Sequence, residues 1–191
     1  MKKQIKMIVF VIILGLATSS ILTGMDYITA DRIEKNDELK LMTTIVEAFE
    51  LEYTDSNIEE VFTDNLEAFE KDGVTFYRSS NGEVGFEFDG SGLWGPIKGF
   101  ITLNEDLETI KAIQIIEQEE TPGLGGVVAE KQYLDNFKSK KMVPELLISK
   151  NDGQQNSDNE VDAITGATLT SKAFEGILNE EFKIHKEILV K

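Results

Sequence analysis

The chain opens on an unbroken apolar run. Residues 7 to 25, MIVFVIILGLATSSILTGM, contain no charged side chain. That length is close to the roughly 20 residues a helix needs to cross a bilayer. Beyond it the apolar positions fall into shorter periods. Met42, Ile45, Val46 and Phe49 recur at helical spacing, so the stretch from Asp26 to Phe49 is expected to be helical. After Asn57 a second amphipathic segment puts Ile58, Val61, Phe62, Leu66 and Phe69 on one side, with Glu59 and Glu60 in its favourable first turn. The period then drops to two. VTFYRSSNGEVGFEF is a pair of alternating runs around Asn81-Gly82, a strong hairpin signal. GFITLNEDLETIKAIQIIE repeats the arrangement around Asn-Glu-Asp. Residues 74 to 117 are therefore expected to form an antiparallel sheet.

A glycine-rich loop, ETPGLGG, follows the sheet. VVAEKQYLDNF reads as a helix with Val127, Val128, Tyr133, Leu134 and Phe137 available for burial, and ELLISK as a short strand. NDGQQNSDNE, residues 151 to 160, is expected to be a polar surface loop and a site of disorder. The closing helix is expected to begin near Ser171 and to pack through Phe174, Ile177, Leu178 and Phe182. Helices, then hairpins, then helices around a return strand make the class α+β. The expected organisation is a cytoplasmic tip (1–6), a transmembrane anchor (7–25), a helical connector (26–72) and one extracytoplasmic domain (73–191), an antiparallel sheet flanked by helices.

Charge orients this picture. Lys2, Lys3 and Lys6 precede the apolar run and Asp26 follows it, which leaves the amino terminus in the cytoplasm by the positive-inside bias. A cleaved signal peptide is the alternative, but its apolar region is usually shorter and no A-x-A-like site is evident. The net charge of −16 over 191 residues excludes nucleic-acid binding, which needs basic surface to neutralise phosphates. With no cysteine there is no disulfide, no thiolate metal site and no cysteine nucleophile.

Several short stretches invite a chemical reading. In TPGLGGVV, Val128 stands where a dinucleotide fingerprint needs its third glycine. What the stretch does encode is a turn, with Pro122 fixing one φ and Gly123 supplying a positive one. Gly125 and Gly126 would let the backbone approach a planar partner or another chain segment. Trp94, the sole tryptophan, sits among Gly90, Gly92 and Gly95. A lone tryptophan is more often core, but these glycines remove the side chains that would cover it. His185, the sole histidine, lies near the end of the last helix, where a cation complements the dipole. Without a second histidine or any cysteine, a transition-metal site is not expected. VDAITGATLTSKAF crowds Thr165, Thr168, Thr170 and Ser171 around a Gly-Ala pair ahead of a helix. Thr170 or Ser171 is expected as the helix N-cap. The remaining hydroxyls, at a helix amino terminus, suit an anionic group near Thr168. Thr168 is no hydrolase nucleophile, since no histidine base is near it in sequence and an interior threonine lacks the free amine threonine nucleophiles use.

DAITGATLTS resembles the flavinylation motif of the FMN-binding domain family: an Asp, two variable positions, Ser or Thr, then Gly-Ala-Thr. Asp162, Thr165, Gly166, Ala167 and Thr168 fill it position by position. The resemblance implies that a flavin transferase joins FMN to Thr168 through a phosphoester. ETPGLGG (120–126) and GLWGPIKGF (92–100) are similar to companion motifs of the C subunit of the Na+-translocating NADH:quinone reductase. The flavinylation motif and ETPGLGG are shared by the G subunit of the Rnf ferredoxin:NAD+ complex, whereas the tryptophan-containing motif leans toward the quinone-reductase subunit. The resemblance implies cofactor contacts from Glu120, Thr121, Gly123, Leu124, Gly125 and Trp94, with Leu124 against the isoalloxazine. It further implies a subunit of an ion-translocating oxidoreductase in the cytoplasmic membrane, partnered by other membrane subunits. Rival readings are a stand-alone flavinylated electron carrier and a flavin-free anchored binding domain.

Overall fold

The computed structural model describes residues 2–150 and 156–191, so residues 151–155 of the expected polar loop lie outside the described residues. The chain divides into two compact units, Met1–Lys40 and Leu41–Lys191. The first unit lies within helix α1 (Lys2–Ala48), which runs unbroken from the apolar segment into the amphipathic one. Between Lys2 and Lys40 its side chains are almost all exposed, and α1 is long and apolar enough to cross a membrane.

The second unit is built on a five-stranded antiparallel meander in sequence order, β1 (Leu66–Lys71), β2 (Val74–Ser79), β3 (Val84–Ser91), β4 (Pro96–Leu103) and β5 (Ile110–Gln118). The hairpin at Asn81-Gly82 forms as expected. Gly82, at φ +82°, donates to the Ser79 carbonyl at 3.0 Å, and Ser79 donates to Glu83 at the same distance. Helix α2 (Ile58–Asn65), however, stops short of the expected end at Phe69. Leu66–Lys71 instead pairs with β2 from Leu66↔Ser79 to Lys71↔Val74. The cause is the Asp72-Gly73 pair, with φ of +52° and +81°. Positive φ at both central residues is the mark of a type I′ hairpin turn, whose twist matches the strands it joins.

Both faces of the sheet are covered. On one, Phe76, Phe86, Phe88, Ile97, Ile101 and Ile113 pack with Phe174, Ile177, Leu178 and Phe182 of helix α4 (Thr168–Val190). On the other, Phe100 meets Ile45, Ala48 and Phe49 at the end of α1, with Phe49 and Phe100 ring centroids 6.1 Å apart. Alternation along the strands sorts these residues, Phe76 to one face and Tyr77 to the other. The helix expected over Val127–Phe137 is a chain of short turns: a 3-10 turn at Gly125–Ala129, helix α3 (Lys131–Leu134) and a second 3-10 turn at Asp135–Phe137. Val128, Tyr133, Leu134 and Phe137 are buried all the same. A short parallel pair, β6 (Leu147–Ser149) with β7 (Glu160–Asp162), delivers the chain to α4. The strand at 147–149 matches the sequence reading; β7 was not expected, since it falls where the polar loop runs into the hydroxyl-rich stretch.

His185, which the sequence placed near a helix end as a complement to the dipole, is buried. Its ring stacks on Phe86 with centroids 4.2 Å apart and planes within 6°, and Nδ1 lies 2.7 Å from the Glu181 carbonyl oxygen. Burial lowers its pKa, with the hydrogen bond to Glu181 opposing. The unfolded side chain takes up a proton near pH 6.5 while the folded one resists it. The stability this contributes is therefore complete above about pH 6.5 and is lost as pH falls toward the folded-state pKa. Urea denaturation at pH 7 and pH 5 should show a larger loss for the parent than for His185→Phe, which keeps a flat ring on Phe86 and has no proton to gain.

Candidate functional site

The glycine loop, the tryptophan loop and the hydroxyl cluster meet at one buried carboxylate. Glu120, 4% exposed, ends the approach from β5. Its Oε1 accepts the backbone N–H of Leu93 at 2.6 Å and of Trp94 at 3.0 Å. Its Oε2 accepts the Thr170 hydroxyl at 2.7 Å. A carboxylate withdrawn from water is tolerated only with such donors around it. Two glycines make the room. A Cβ on Gly92 would stand 2.5 Å from Oε1, and a Cβ on Gly125 would stand 2.5 Å from Oε2 and 2.6 Å from the Thr170 hydroxyl. Gly125 thus allows close approach of another chain segment, the second of the two uses its position allowed.

The turn before it has the expected form. Leu124 donates to the Thr121 carbonyl at 3.1 Å across Pro122 and Gly123, and Gly123 has φ +72°. Thr121, Gly123 and Leu124 are exposed, and the tip of Leu124 lies 3.3 Å from where a Cβ on Gly166 would be. The glycine loop therefore leans on the threonine loop.

The threonine loop is a tight turn set on a helix. Ala167 donates to the Ile164 carbonyl at 3.0 Å, with Thr165 and Gly166 at the corner and Gly166 at φ +81°. Helix α4 begins at Thr168, three residues earlier than expected, and no side chain caps it. Thr170 and Ser171 are therefore not N-caps. Both are buried in the first turn, Thr170 on Glu120, while Ser171 Oγ accepts the Ile164 N–H and donates to the Ala167 carbonyl, each at 3.0 Å. Ser171 staples the turn to the helix. Thr168 remains exposed at the helix start, where the leading N–H groups have no intrahelical acceptor.

Trp94 is 71% exposed, so the glycines around it do leave its face open. Ala167 is buried and Thr165 exposed. Asp162, at the end of β7, is half-buried and accepts from Asn156 Nδ2 at 3.1 Å. It lines a cavity of about 460 Å³ with Gly123, Val127, Tyr133, Asn136 and Thr165, between the glycine and threonine loops. Burial raises the Tyr133 phenol pKa. Sequence reasoning missed Gly92 as part of this arrangement and misassigned Thr170. The available signal was chemical: a glutamate between an apolar strand and a turn, once buried, needs hydroxyl or N–H donors.

Residues 92–182 match the FMN-binding domain family. Over 87 residues the chain is 40% identical to the C subunit of the Na(+)-translocating NADH-quinone reductase of Vibrio alginolyticus, covering 43% of this chain and 34% of the relative. Over 111 residues it is 36% identical to the same protein of Neisseria meningitidis serogroup A, covering 54% of this chain and 43% of that one. The chain thus spans less than half the length of these curated relatives. Among solved structures, NqrC of Shewanella oneidensis has the same fold, with a TM-score of 0.70 at 18% identity over 78% of this chain and 93% of that one. The corresponding C subunit from Parabacteroides distasonis has a TM-score of 0.69 at 24% identity, over 83% of this chain and 96% of that one.

The packing around Glu120 yields a direct test. Gly125→Ala should cost about 1–3 kcal/mol in urea denaturation, as overpacking does. Gly176→Ala, on an exposed part of α4 with nothing within 4 Å of the new Cβ, should gain up to about 1 kcal/mol from helix propensity. The segment from Gly92 to Phe182, which contains the tryptophan loop, the glycine loop and the threonine turn, is the part of the chain that matches the FMN-binding domain family.

Proposed function

We propose that this chain is a membrane-anchored flavoprotein subunit that holds FMN by a phosphoester on Thr168. It passes electrons within an ion-translocating complex of the Na+-translocating NADH-quinone reductase type. The observation that carries the reading is the position of Thr168. Its hydroxyl is the exposed one at the start of a 23-residue helix that lacks a capping side chain, beside a turn held rigid by Ser171. A phosphate there meets free N–H groups and the positive end of the helix dipole.

The surroundings fit the rest of the cofactor. Leu124 and Trp94 present exposed apolar surface from loops tied to the same helix, and the neighbouring cavity is lined by both polar and apolar side chains. FMN supplies the redox chemistry, and the protein supplies attachment, orientation and environment. A covalent bond also makes the loss of a cofactor by dissociation irrelevant. Thr165 is exposed as well, but it sits at the turn corner ahead of the helix rather than on it. The names of the relatives support the sodium-pumping type over the Rnf type. On this reading Lys2, Lys3 and Lys6 keep the amino terminus in the cytoplasm and the flavin lies on the outer side. Asp162, outside the helix, serves recognition by the flavin transferase.

Denatured protein from the native host should fluoresce as a flavin on a gel, and its intact mass should include both FMN and residues 7–25. Thr168→Ala should abolish the flavin while changing stability by no more than about 0.5 kcal/mol, as for an exposed site. Peptide mapping that placed FMN on Thr165 or Thr170 would overturn the assignment. Co-purification with multispanning subunits, and failure to find them, distinguish a complex from a stand-alone carrier.

A further inference from the structure

Glu120 divides its two oxygens between two parts of the chain. Oε1 takes both amides of the tryptophan loop, Leu93 and Trp94, and Oε2 takes the hydroxyl of Thr170 in the first turn of α4. The loop so held buries little. Leu93 is 46% exposed and the Trp94 indole 71%. Besides Glu120, the loop is closed by the Gly92 N–H on the Gly95 carbonyl at 2.8 Å. Leu124, 46% exposed, projects from the adjoining turn, and Gly125 of that turn leaves room for the carboxylate. A buried acid that fixes a loop whose large side chains face outward does not build the core. It sets where those side chains stand.

We infer that Glu120 is a positioning residue. It holds the exposed indole of Trp94 at a fixed place relative to the start of α4, and so relative to a group attached at Thr168. The functional half of this inference rests on the flavin reading; the tether between Trp94 and α4 does not.

The variants E120A, E120Q and T170V separate the two halves. E120Q keeps an oxygen for the Leu93 and Trp94 amides and turns its NH2 toward the Thr170 hydroxyl, which accepts as well as donates. The first measurement uses the full chain in detergent with T168A added, so that no flavin is held at that position. Hydrogen exchange is followed by mass spectrometry in a peptide over residues 90–96 and in one over 98–103 of β4. With E120A the loop peptide should exchange at least about tenfold faster, the loss of a hydrogen bond to a carboxylate. The β4 peptide should hold its parent rate, and the anisotropy of the sole tryptophan should fall. E120Q should stay near the parent, and T170V should lie between. Equal acceleration in both peptides would reduce Glu120 to a general stabilising residue and overturn the proposal.

The second measurement uses the flavin-loaded chain with Thr168 intact. E120A should load normally but shift the flavin absorbance envelope and midpoint potential, and E120Q should restore both. Superimposable spectra and potentials in a loosened E120A loop would show that Trp94 is not set for the flavin. A parent chain without covalent flavin would instead refute the flavin reading by itself, and the exchange data would still decide the tether.

Discussion

A carboxylate brought out of water must find donors, and in this chain that requirement organises the site. Among the described residues no ion pair reaches Glu120; two amides and a hydroxyl surround it instead. The amides come from the tryptophan loop and the hydroxyl from the helix, while the acid itself leads into the glycine loop, so satisfying one acid fixes three stretches at once. The glycines that look like flexible linkers in the sequence have the opposite effect here. Gly92 and Gly125 lack side chains where the carboxylate oxygens must fit, and the result is a tight junction. Losing the acid while keeping its donors would strand buried polar groups, the costly direction for any hydrogen-bonded network.

The scaffold brings these loops together. The meander places β4 and β5 side by side, so the turn before β4 and the turn after β5 emerge at neighbouring positions. The parallel pair β6–β7 sends the chain into the Ile164–Ala167 turn, and α4 then lies along the sheet through Phe174, Ile177 and Phe182. With its apolar face committed to the sheet, the helix has little freedom to move its first turn, where Thr168 stands exposed.

Much of this was legible from residue patterns, and the failures are instructive. Apolar spacing of two and of three to four located most elements, because burial on one face dictates that spacing. Leu66–Lys71 defeated it: Leu66 and Phe69 fit a helix as well as a strand, and the Asp72-Gly73 turn tipped the balance. Val127–Phe137 kept its buried positions but not its regularity. At the site, it was the resemblance to the FMN-binding domain family that pointed to Thr168, Glu120 and Trp94. The residue pattern could not show which hydroxyls face inward. That depends on α4 starting at Thr168, which turns Thr170 and Ser171 toward the core and leaves Thr168 outside. His185 was misread for a similar reason, since a position near a helix end says nothing of the sheet beneath it.

The strand order has a kinetic consequence. Each pairing in the meander joins neighbours in sequence, so it closes only a short loop and can form early. The Glu120 junction is different, because its bonds reach across 26 and 27 residues to the tryptophan loop and 50 to the helix. Contact-order reasoning places that closure late, after the sheet has formed and α4 has docked. Before α4 docks, Thr168 stands on a segment not yet held against the sheet. On the flavin reading proposed above, an enzyme that recognises the turn with α4 in place, rather than the bare motif, would modify only chains whose last helix has docked, and attachment would report on folding.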